Sequence, residues 1–308
     1  MPERILVIGA GGFIGHALVL ELATAGHQIS AVGRTPLRQP LPGTRWETIG
    51  LGQTAPLGML LERIDSVVYL AAASTPASTA GRPLDELELN LRPFLNLLQA
   101  LQDFSHLPLL YVSSAGALYS GTNDQRLVET DIPKPRSYHG AGKIAAEHFI
   151  GAWCRQFGAA TTILRPSNVY GPGQQERPGF GIIPHALGAV VRGDELVLRG
   201  DGSAARDYLY IDDLIRLCIS IISHRMPPGV QTFNAGSGNA TTLLELIAQI
   251  ERVTGQKVEY RFDGSHPVDA DRIAVSIDQA HQAVGWQPRV ELVEGLKRTW
   301  NWYRTTQR

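Results

Sequence analysis

The stretch Ile5-Leu6-Val7-Ile8-Gly9-Ala10-Gly11-Gly12-Phe13-Ile14-Gly15 decides the fold of this chain. Its four apolar residues predict a buried strand, and the apolar periodic segment that follows the turn predicts a helix. Gly9 can adopt backbone angles that a side chain forbids. Gly12 lets a pyrophosphate approach the backbone, and Gly15 lets the helix pack closely on the strand. Because a helix N-terminus also offers free N–H groups and a partial positive charge, the pattern predicts a dinucleotide-binding turn. Its predicted lining is Gly9, Gly12, Phe13, Ile14 and Gly15.

The bulk composition indicates a folded chain of 308 residues that is 44% hydrophobic and 19% charged, with a net charge of −1. That balance excludes a disordered chain and provides no charge block for a nucleic acid or a membrane surface. Cys154 and Cys218 lie in apolar helical patterns and fit no metal-ligand spacing, so we expect buried thiols and no metal. No secretory signal precedes the first strand, and no apolar run is long enough to cross a membrane, which predicts a cytoplasmic protein.

The second predicted strand, residues 28–32, bears on the choice of cofactor. In NAD-selective sites an acidic residue near the end of this strand holds the adenosine ribose, and no acidic residue stands there in this chain. Arg34 follows instead, and a guanidinium can pair with the 2′-phosphate of NADP. The alternative is a solvated loop arginine. The pattern favours NADP over NAD and leaves both open.

Predicted strands and helices alternate along the first half of the chain. Strands are predicted over residues 65–73, 109–112 and 162–165, and a helix over 83–103. This alternation predicts an α/β fold with a doubly wound parallel sheet. The strand over 65–73 ends in small residues, which let a cofactor lie at the carboxyl ends of the strands, where such sheets bind ligands. The residues expected to contact it there are Leu70, Ala71 and Ala72.

Eight segments, in their order along the chain, resemble those of the extended short-chain dehydrogenase/reductases that act on nucleotide sugars, such as the UDP-galactose 4-epimerases. They are the glycine turn, Asp65–Ala73, Ser113–Tyr119, Lys143–Glu147, Leu164–Pro172, Arg206–Leu214, Asn234–Gly238 and Leu292–Tyr303. The resemblance to this NAD-dependent epimerase/dehydratase family implies a Rossmann domain over residues 1–165, to which 207–236 return. It implies a smaller α/β substrate domain over 166–308 that closes over a nucleotide sugar. It also implies a homodimer formed through the helices over 83–103 and 140–157.

The resemblance further implies roles for individual residues. Lys143 matches the family lysine that holds the nicotinamide ribose and lowers the pKa of a catalytic phenol. Asn168 matches the asparagine that hydrogen-bonds the substrate. Arg206 matches the arginine that pairs with the substrate diphosphate, a group that suits a guanidinium; its alternative is an ion pair with one of the aspartates that follow it. A second diphosphate contact is matched only loosely, by Arg272 or His266. We also expect Asn90 and Pro166 to contact the cofactor, and Ser113 and Ser114 to contact the substrate.

The family's catalytic motif, Tyr-x-x-x-Lys on one helix, is altered in this chain. Four residues make about one helical turn, so that the phenol and the ammonium share a face. Here the residue four positions before Lys143 is His139, whereas Tyr138 is five positions before it. The small residue four before the strand-end tyrosine, Ser or Thr in the family, is Ala115, with Ser114 one residue upstream.

Three hypotheses account for the altered motif. In the first, His139 is the acid/base, because histidine titrates near neutral pH and a neighbouring Lys143 would keep it neutral. In the second, Tyr138 reaches the site because the helix begins one residue later or carries a bulge. In the third, redox chemistry has been lost and the chain only binds its ligands. We expect a working enzyme with Lys143, Ser114 and either His139 or Tyr138 as its catalytic residues.

These observations predict an NAD(P)-dependent nucleotide-sugar 4-epimerase that acts on a UDP- or dTDP-hexose by transient hydride transfer. The first alternative is an NADPH-dependent 4-keto-sugar-nucleotide reductase, which Arg34 favours. The second alternative, from another class, is a non-catalytic sensor of NADP or a nucleotide sugar. A dehydratase is less well supported, because Gly116 and Ala117 stand where the family's dehydratases carry an Asp-Glu pair.

Overall fold

The computed structural model describes residues 2–34, 41–121, 125–177, 179–263 and 272–306. The chain divides into two compact units. Unit 1 comprises Met1–Leu118, Pro135–Arg165 and Ile215–Phe233, and unit 2 comprises Tyr119–Lys134, Pro166–Leu214 and Asn234–Arg308. Each unit therefore draws on three separate stretches of the chain.

The regular elements are numbered in chain order. The strands are β1 (Arg4–Ile8), β2 (Gln28–Val32), β3 (Thr44–Glu47), β4 (Ser66–Tyr69), β5 (Leu109–Val112), β6 (Ala160–Pro166), β7 (Asn168–Tyr170), β8 (Leu196–Leu198), β9 (Ala205–Tyr210), β10 (Gly229–Ala235), β11 (Ala240–Thr242), β12 (Tyr260–Phe262) and β13 (Arg272–Ile273). The α-helices are α1 (Phe13–Thr24), α2 (Thr54–Leu61), α3 (Pro83–Glu86), α4 (Arg92–Ala100), α5 (Ala115–Leu118), α6 (Tyr138–Phe157), α7 (Ile182–Arg192), α8 (Ile211–His224), α9 (Leu243–Thr254), α10 (Asp278–Val284) and α11 (Leu292–Thr306).

The central sheet has the strand order β10-β6-β5-β4-β1-β2-β3. β1 pairs in parallel with both β2 and β4, and the parallel ladder continues from β4 to β5 and from β5 to β6. Strands that are buried on both faces have continuous apolar sequences, and the apolar run Ile5–Ile8 is fully buried. The predicted doubly wound parallel sheet is confirmed. Its strand order reverses at β1, and such a reversal creates a ligand crevice beyond the carboxyl ends of the strands.

The core of unit 1 holds α4 and α6 against the sheet. The rings of Tyr69, Phe94 and Tyr111, from β4, α4 and β5, lie with centroids 4.7–5.8 Å apart. Trp153 and Ile150 of α6 are buried in the same cluster. Burying one such side chain contributes about 1.5 to 3 kcal/mol. The packing fixes the position of α6, which carries the altered catalytic motif.

The helix predicted over residues 83–103 is interrupted. It consists of α3, a π-helical turn over Leu87–Leu91, α4 and a 3₁₀ turn over Leu101–Phe104. Pro93 lies in the first turn of α4 and has no N–H to donate, and its ring opposes a regular α-helical hydrogen bond to the residue four before it. The wider turn before it relieves that conflict. The π-helical turn carries Asn90 and follows directly after Glu86.

Unit 2 is built around β9, which pairs with β7 and β13 in parallel and with β11 in antiparallel orientation. β8 and β12 form a separate two-stranded sheet. A capping box begins α9, since the side chains of Thr242 and Glu245 each accept a hydrogen bond from the other residue's backbone N–H. In the part of the chain that the structure describes, no helix has the length and apolarity needed to span a membrane.

Candidate active site

The glycine turn lies beyond β1, where the strand order reverses. Gly9 has a φ of +95°, and a Cβ at this position would lie 2.7 Å from the backbone N of Ala71. A Cβ on Gly15 would overlap the carbonyl oxygen of Gly9. The turn is anchored to β2, because the N–H groups of Gly9 and Ala10 both donate to the carbonyl oxygen of Val32. The first and third glycines are therefore required for the turn itself.

Gly12 differs from the other two glycines because it faces open space. A Cβ there would meet only the carbonyl oxygen of Gly9, at 3.3 Å. Gly12 is the N-cap of α1, no side chain caps this helix, and its first turn holds no acidic residue. Among the described residues, the N–H groups that begin α1, at Phe13 and Ile14, therefore have no side-chain cap. An uncapped helix N-terminus beside a glycine with few close neighbours fits the diphosphate of a nicotinamide dinucleotide.

Replacing Gly12 by valine is expected to weaken dinucleotide binding at least about tenfold, a loss of about 1.4 kcal/mol, because the side chain would fill the space assigned to the diphosphate. Stability should fall by about 1 kcal/mol at most, because valine caps a helix less well than glycine. Calorimetric titration with NAD⁺ and NADP⁺ measures the affinity. Gly58→Ala on α2 is the matched control, since a Cβ there meets no atom within 4 Å. Unchanged affinity of the Gly12 variant would place the phosphates elsewhere.

The end of β4 lies beside the glycine turn. The N–H of Leu70 donates to the carbonyl oxygen of Ile8 at 2.8 Å. Leu70 and Ala71 are half-buried and Ala72 is exposed. Asn90 reaches this segment, where its Oδ1 accepts a hydrogen bond from the N–H of Ala73 at 2.7 Å. The structure thus brings these predicted cofactor residues to one edge of the sheet.

The start of α6 distinguishes between His139 and Tyr138. Ser137 is the N-cap, and its Oγ accepts a hydrogen bond from the N–H of Gly140 at 3.1 Å. The helix is α-helical from Tyr138 onward, so the hypothesis of a late start or a bulge that brings Tyr138 into line with Lys143 is wrong. The side chain of Tyr138 is 44% exposed, whereas His139 is 8% exposed. His139 and Lys143 therefore share one buried face of α6.

Lys143 is buried at the carboxyl end of β5. Its Nζ donates to the carbonyl oxygen of Val112 at 2.9 Å and lies 5.0 Å from the ring centroid of Tyr111. Burial lowers the pKa of Lys143 to about 8, and the charges of Glu86 and Glu147 oppose that shift. At neutral pH the side chain is still mainly an ammonium group. A cation therefore stands at the sheet edge where the cofactor is expected.

His139 belongs to a buried polar cluster, which we call the Ser74 cluster and define as Ser74, Glu86, Asn90 and His139. The Nδ1 of His139 lies 3.0 Å from Ser74 Oγ and 3.7 Å from Glu86 Oε1. Burial acts to raise the pKa of Glu86, but hydrogen bonds from His139, Ser74 and Asn90 outweigh it and hold that pKa below its usual value. Ser74 and Glu86 were not among the residues predicted from the sequence.

Ser113 and Ser114, which follow β5, differ in the hydrogen bonds of their hydroxyl groups. The N–H of Ser113 donates to the carbonyl oxygen of Leu164 at 2.7 Å, while its buried Oγ has no hydrogen-bond partner among the described residues. Ser114 is half-buried, and its Oγ accepts from the N–H of Ala117 at 3.3 Å at the start of α5. Ser113 therefore presents a polar group that still lacks a partner at this sheet edge.

Unit 2 contains Asn168, Arg206 and Arg272, three of the residues predicted to bind substrate, and Asp207 lies beside the first two. Asp207 is fully buried, and burial raises the pKa of its carboxyl group despite several hydrogen bonds. Asn168 is half-buried, and its Nδ2 donates to the carbonyl oxygen of Asp207 at 3.1 Å. The side chain of Arg206 donates to the carbonyl oxygen of Ala205 at 3.0 Å. The carboxylate of Asp207 binds backbone N–H groups and serine hydroxyls, so it is engaged away from the ion pair considered for Arg206.

The remaining predicted residues lie as follows. Arg272 is an exposed residue of β13, in register with Ala205 beside Arg206, whereas His266 lies outside the described residues. Arg34 is exposed after β2, and Pro166 is buried at the end of β6. Cys154 and Cys218 are buried free thiols. Within the described ranges, no group of three or more His, Cys, Asp or Glu side chains could hold a metal ion.

Comparison with known proteins agrees with this geometry. A UDP-glucose 4-epimerase from Mycolicibacterium smegmatis is 29% identical over 311 residues, 98% of each chain. A dTDP-4-dehydro-6-deoxy-D-allose reductase from a Streptomyces species is 27% identical over 99% of this chain and 98% of the reductase. The crystal structure of the Thermus thermophilus UDP-glucose 4-epimerase in complex with NAD is 26% identical, with a TM-score of 0.87 over 98% of this chain and 99% of that chain.

The family resemblance seen in the sequence is confirmed by a match that extends from β1 to the end of β10. Residues 5–236 match the NAD dependent epimerase/dehydratase family, and they make up more than half of the chain. The chain therefore belongs to the NAD dependent epimerase/dehydratase family.

Proposed function

We propose that this chain is a nucleotide-sugar 4-epimerase that acts on a UDP- or dTDP-hexose. The observation that carries the proposal is the buried pair His139 and Lys143, one helical turn apart at the carboxyl end of the sheet. An ionisable ring and an ammonium group beside a dinucleotide turn are what reversible oxidation of a sugar hydroxyl requires. The epimerase from Mycolicibacterium smegmatis supports the same activity.

In the proposed reaction the chain's own residues move the proton. His139 accepts the proton of the sugar 4-hydroxyl as the C4–H bond breaks, and it returns the proton once the keto sugar has turned its other face. A bound nicotinamide, held by the glycine turn and Lys143, would supply the reversible hydride acceptor that oxidation at C4 requires. Lys143 lies one helical turn from His139 on the same buried face of α6, where its ammonium group would hold the nicotinamide ribose. The hydroxyl is regenerated in each cycle, so no net oxidation occurs.

The remaining residues are proposed to hold the ligands. Arg206 pairs with the substrate diphosphate, a role suited to a planar guanidinium that stays charged. Asn168 and Ser113 bind polar groups of the substrate. Gly12 and the N-terminus of α1 hold the diphosphate of the cofactor. Arg272 stays a weaker candidate for a second phosphate contact.

The second candidate is an NADPH-dependent 4-keto-sugar-nucleotide reductase. Arg34 supports it, since an exposed arginine after β2 suits the 2′-phosphate of NADP. The Streptomyces reductase supports it as well. A reductase would use the same proton donor but would take up one hydride from NADPH per turnover and release the oxidised cofactor.

One assay separates these candidates. The purified chain is incubated with UDP-glucose without added cofactor, and anomeric proton NMR follows the formation of UDP-galactose; the epimerase is expected to reach an equilibrium mixture. Turnover that occurs only with a 4-keto sugar and consumes NADPH stoichiometrically would replace the epimerase by the reductase. Ligand binding without turnover of either substrate would leave only the sensor. Calorimetric titration with NAD⁺ and NADP⁺ tests the predicted preference for NADP.

We also propose a homodimer through α6 and the helical segment that begins with α3. Large apolar side chains on these helices are exposed, including Leu84, Leu89, Phe149 and Phe157. Exposed apolar side chains of this size on two neighbouring helices can be buried against a second copy of the chain. Sedimentation velocity measures the oligomeric state. The cytoplasmic location stays a prediction.

A further inference from the structure

The hydrogen bonds of the Ser74 cluster can be assigned donor by donor. Asn90 is the starting point, because its Oδ1 accepts from the N–H of Ala73 at 2.7 Å and must therefore be the oxygen. The other end of its amide, Nδ2, then donates to Ser74 Oγ at 2.6 Å and to Glu86 Oε1 at 2.8 Å. The orientation of the amide is thus determined by a backbone donor, which has no alternative role.

The next assignment concerns the Ser74 hydroxyl, which has one proton and therefore donates one hydrogen bond. Glu86 Oε2 lies 2.5 Å from Ser74 Oγ. An ionised carboxylate only accepts hydrogen bonds, so Ser74 must donate to Glu86. With its proton committed there, Ser74 Oγ can only accept from its other neighbours. Those neighbours are Asn90 Nδ2 and His139 Nδ1, at 2.6 and 3.0 Å.

These hydrogen bonds determine which ring nitrogen of His139 carries the proton. A neutral imidazole carries one proton, and the hydrogen bond made by one ring nitrogen decides which nitrogen holds it. Ser74 Oγ requires a donor at Nδ1, and Glu86 Oε1, 3.7 Å from the same nitrogen, also favours a donor there. Nε2 is then the lone-pair nitrogen, and it has no hydrogen-bond partner among the residues that the structure describes.

We propose that Ser74, Glu86 and Asn90 are positioning residues that hold His139 in the tautomer with the proton on Nδ1, so that Nε2 is the atom that exchanges a proton with the substrate. The role of Nε2 in turnover rests on the proposed epimerase or reductase function, whereas the tautomer does not. Among the described residues, the carboxylate of Glu86 on α3 lies 3.7 Å from Nδ1, and the ammonium of Lys143 stands one helical turn further along α6.

Gly142 leaves room for the carboxylate of Glu86. A Cβ at Gly142 would lie 2.7 Å from Glu86 Oε1 and 2.9 Å from its Cγ. A side chain at position 142 would therefore displace the carboxylate, so this glycine is part of the arrangement that brings Glu86 close to His139.

The cluster is not arranged for nucleophilic catalysis by Ser74. In a catalytic triad the serine hydroxyl donates to one ring nitrogen, while the carboxylate accepts from the other. Here both Ser74 and Glu86 face Nδ1, and the serine proton is directed to the carboxylate. Ser74 has no base to activate it. Its function is to donate its proton to Glu86 and to accept a hydrogen bond from His139 Nδ1, which fixes the orientation of the ring.

The test is histidine NMR on the full-length protein labelled with ¹⁵N-histidine, at about pH 8, above the ordinary histidine range. Two-bond ¹H–¹⁵N correlations distinguish the two neutral tautomers, and the His139→Gln spectrum identifies the resonances of His139. The wild-type ring is expected to show a protonated Nδ1 and an unprotonated Nε2. A wild-type ring with the proton on Nε2 would overturn the proposal.

Glu86→Gln is expected to reverse the tautomer. Asn90 Nδ2 requires an acceptor, so the oxygen of Gln at position 86 would face Asn90 and its NH₂ group would face Ser74 Oγ. Ser74 would then accept from that amide and turn its own proton toward His139 Nδ1, leaving the ring proton on Nε2. A variant ring that keeps its proton on Nδ1 would contradict the donor assignment. Glu88→Gln is the matched control, since Glu88 lies two residues after Glu86 on the π-helical turn, is exposed and pairs with Arg92; it should give the wild-type spectrum.

Ser74→Ala provides a second test that does not depend on the folding of the first variant. With the serine hydroxyl gone, the carboxylate of Glu86 is the acceptor that remains near Nδ1 among the described residues. The tautomer should therefore stay as in the wild type, although the ring becomes less ordered. A shift of the proton to Nε2 in Ser74→Ala would show that Glu86 does not direct the ring.

Turnover distinguishes this inference from the proposed function. Glu86→Gln should lower kcat at least about a hundredfold, because a protonated Nε2 cannot accept a proton; the wrong tautomer costs about 10⁴-fold in a serine protease. Glu88→Gln should leave kcat within about twofold. A reversed tautomer with unchanged turnover would remove Nε2 from the reaction and with it the role of His139, while the tautomer assignment would stand. An unchanged tautomer with lost turnover would contradict the donor assignment, while the proposed role of His139 in turnover would stand.

Discussion

His139→Ala should lower kcat for interconversion of the nucleotide sugar at least about a hundredfold, with a smaller change in KM. General acid–base catalysis by one side chain contributes about 10²- to 10⁴-fold, and removal of a group that acts mainly in the transition state affects kcat more than binding. His139 is the buried member of the pair of candidates, and its ring lies one helical turn from Lys143. Initial rates of UDP-galactose formation from UDP-glucose provide the measurement.

Two variants on the same helix serve as controls. Tyr138→Phe removes the hydroxyl of a side chain that is 44% exposed, and it should change kcat by less than about threefold. His148→Ala removes an exposed histidine from the next turns of α6 and should behave like the wild type. If Tyr138→Phe lost activity and His139→Ala kept it, the acid/base would be the tyrosine. If neither variant lowered kcat, the proton would be moved by another group.

The pH profile adds a readout that a merely structural defect would not produce. A base must be unprotonated to accept a proton, so kcat should fall on the acid side of the profile. That acid limb is expected to disappear in His139→Ala, because the residual activity no longer depends on protonation of the ring. It should persist in Tyr138→Phe. An acid limb that is identical in both variants would assign it to a different group.

The glycine turn and the parallel sheet could be predicted because their information is local. The order of β1, turn and α1 is written in consecutive residues, and Gly9 and Gly15 are required by contacts that lie within the turn or at the adjacent strand end. An apolar run such as Ile5–Ile8, followed at once by glycines, is typical of a strand that is buried on both faces. Local pattern therefore determines these elements, and tertiary context adds little to them.

The Ser74 cluster could not be predicted because its contacts are not local. Ser74 and His139 are 65 positions apart, and Ser74 and Glu86 are 12 positions apart. One sequence feature points to the cluster. Glu86 and Asn90 precede the buried Phe94 at intervals of four residues, which places all three on one face of a regular helix and indicates a buried carboxylate. The π-helical turn before Pro93 departs from that regular spacing, so the position of Glu86 does not follow from periodicity alone.

The residues around Arg206 in unit 2 also show the difference between local and non-local contacts. The sequence pattern brings Arg206 and Asp207 together and suggests an ion pair between them, since they are adjacent and oppositely charged. In a strand, however, successive side chains point to opposite faces. Asp207 therefore lies buried on one face, while its neighbour lies half-buried on the other. Only the pairing of β9 with its neighbouring segments reveals what the buried carboxylate binds.

Asp207→Ala is expected to lower the free energy of unfolding by at least about 3 kcal/mol. Three backbone N–H groups, of Ser237, Gly238 and Val275, donate to its carboxylate at 2.7, 3.1 and 3.3 Å. The hydroxyls of Ser237 and Ser167 donate to it as well, at 2.8 and 3.2 Å. Each buried donor that loses its acceptor costs about 1 to 3 kcal/mol. For a protein whose total stability is about 5 to 15 kcal/mol, that loss is a large fraction. Urea unfolding followed by circular dichroism measures it.

Asp207→Asn and Asp212→Ala separate the acceptor role of Asp207 from the effect of removing a charge. Asparagine keeps one acceptor oxygen but turns an NH₂ group toward the remaining donors, so this variant should be destabilised less than Asp207→Ala and still clearly. Asp212 is exposed near Arg298, and an exposed charge of this kind contributes about 1 kcal/mol or less. If Asp207→Ala were as stable as Asp212→Ala, the backbone of residues 237, 238 and 275 would be held by other contacts. A large loss confined to Asp207 would instead show that one buried carboxylate joins β9, β13 and the segment after β10 into the unit that carries Asn168 and Arg206.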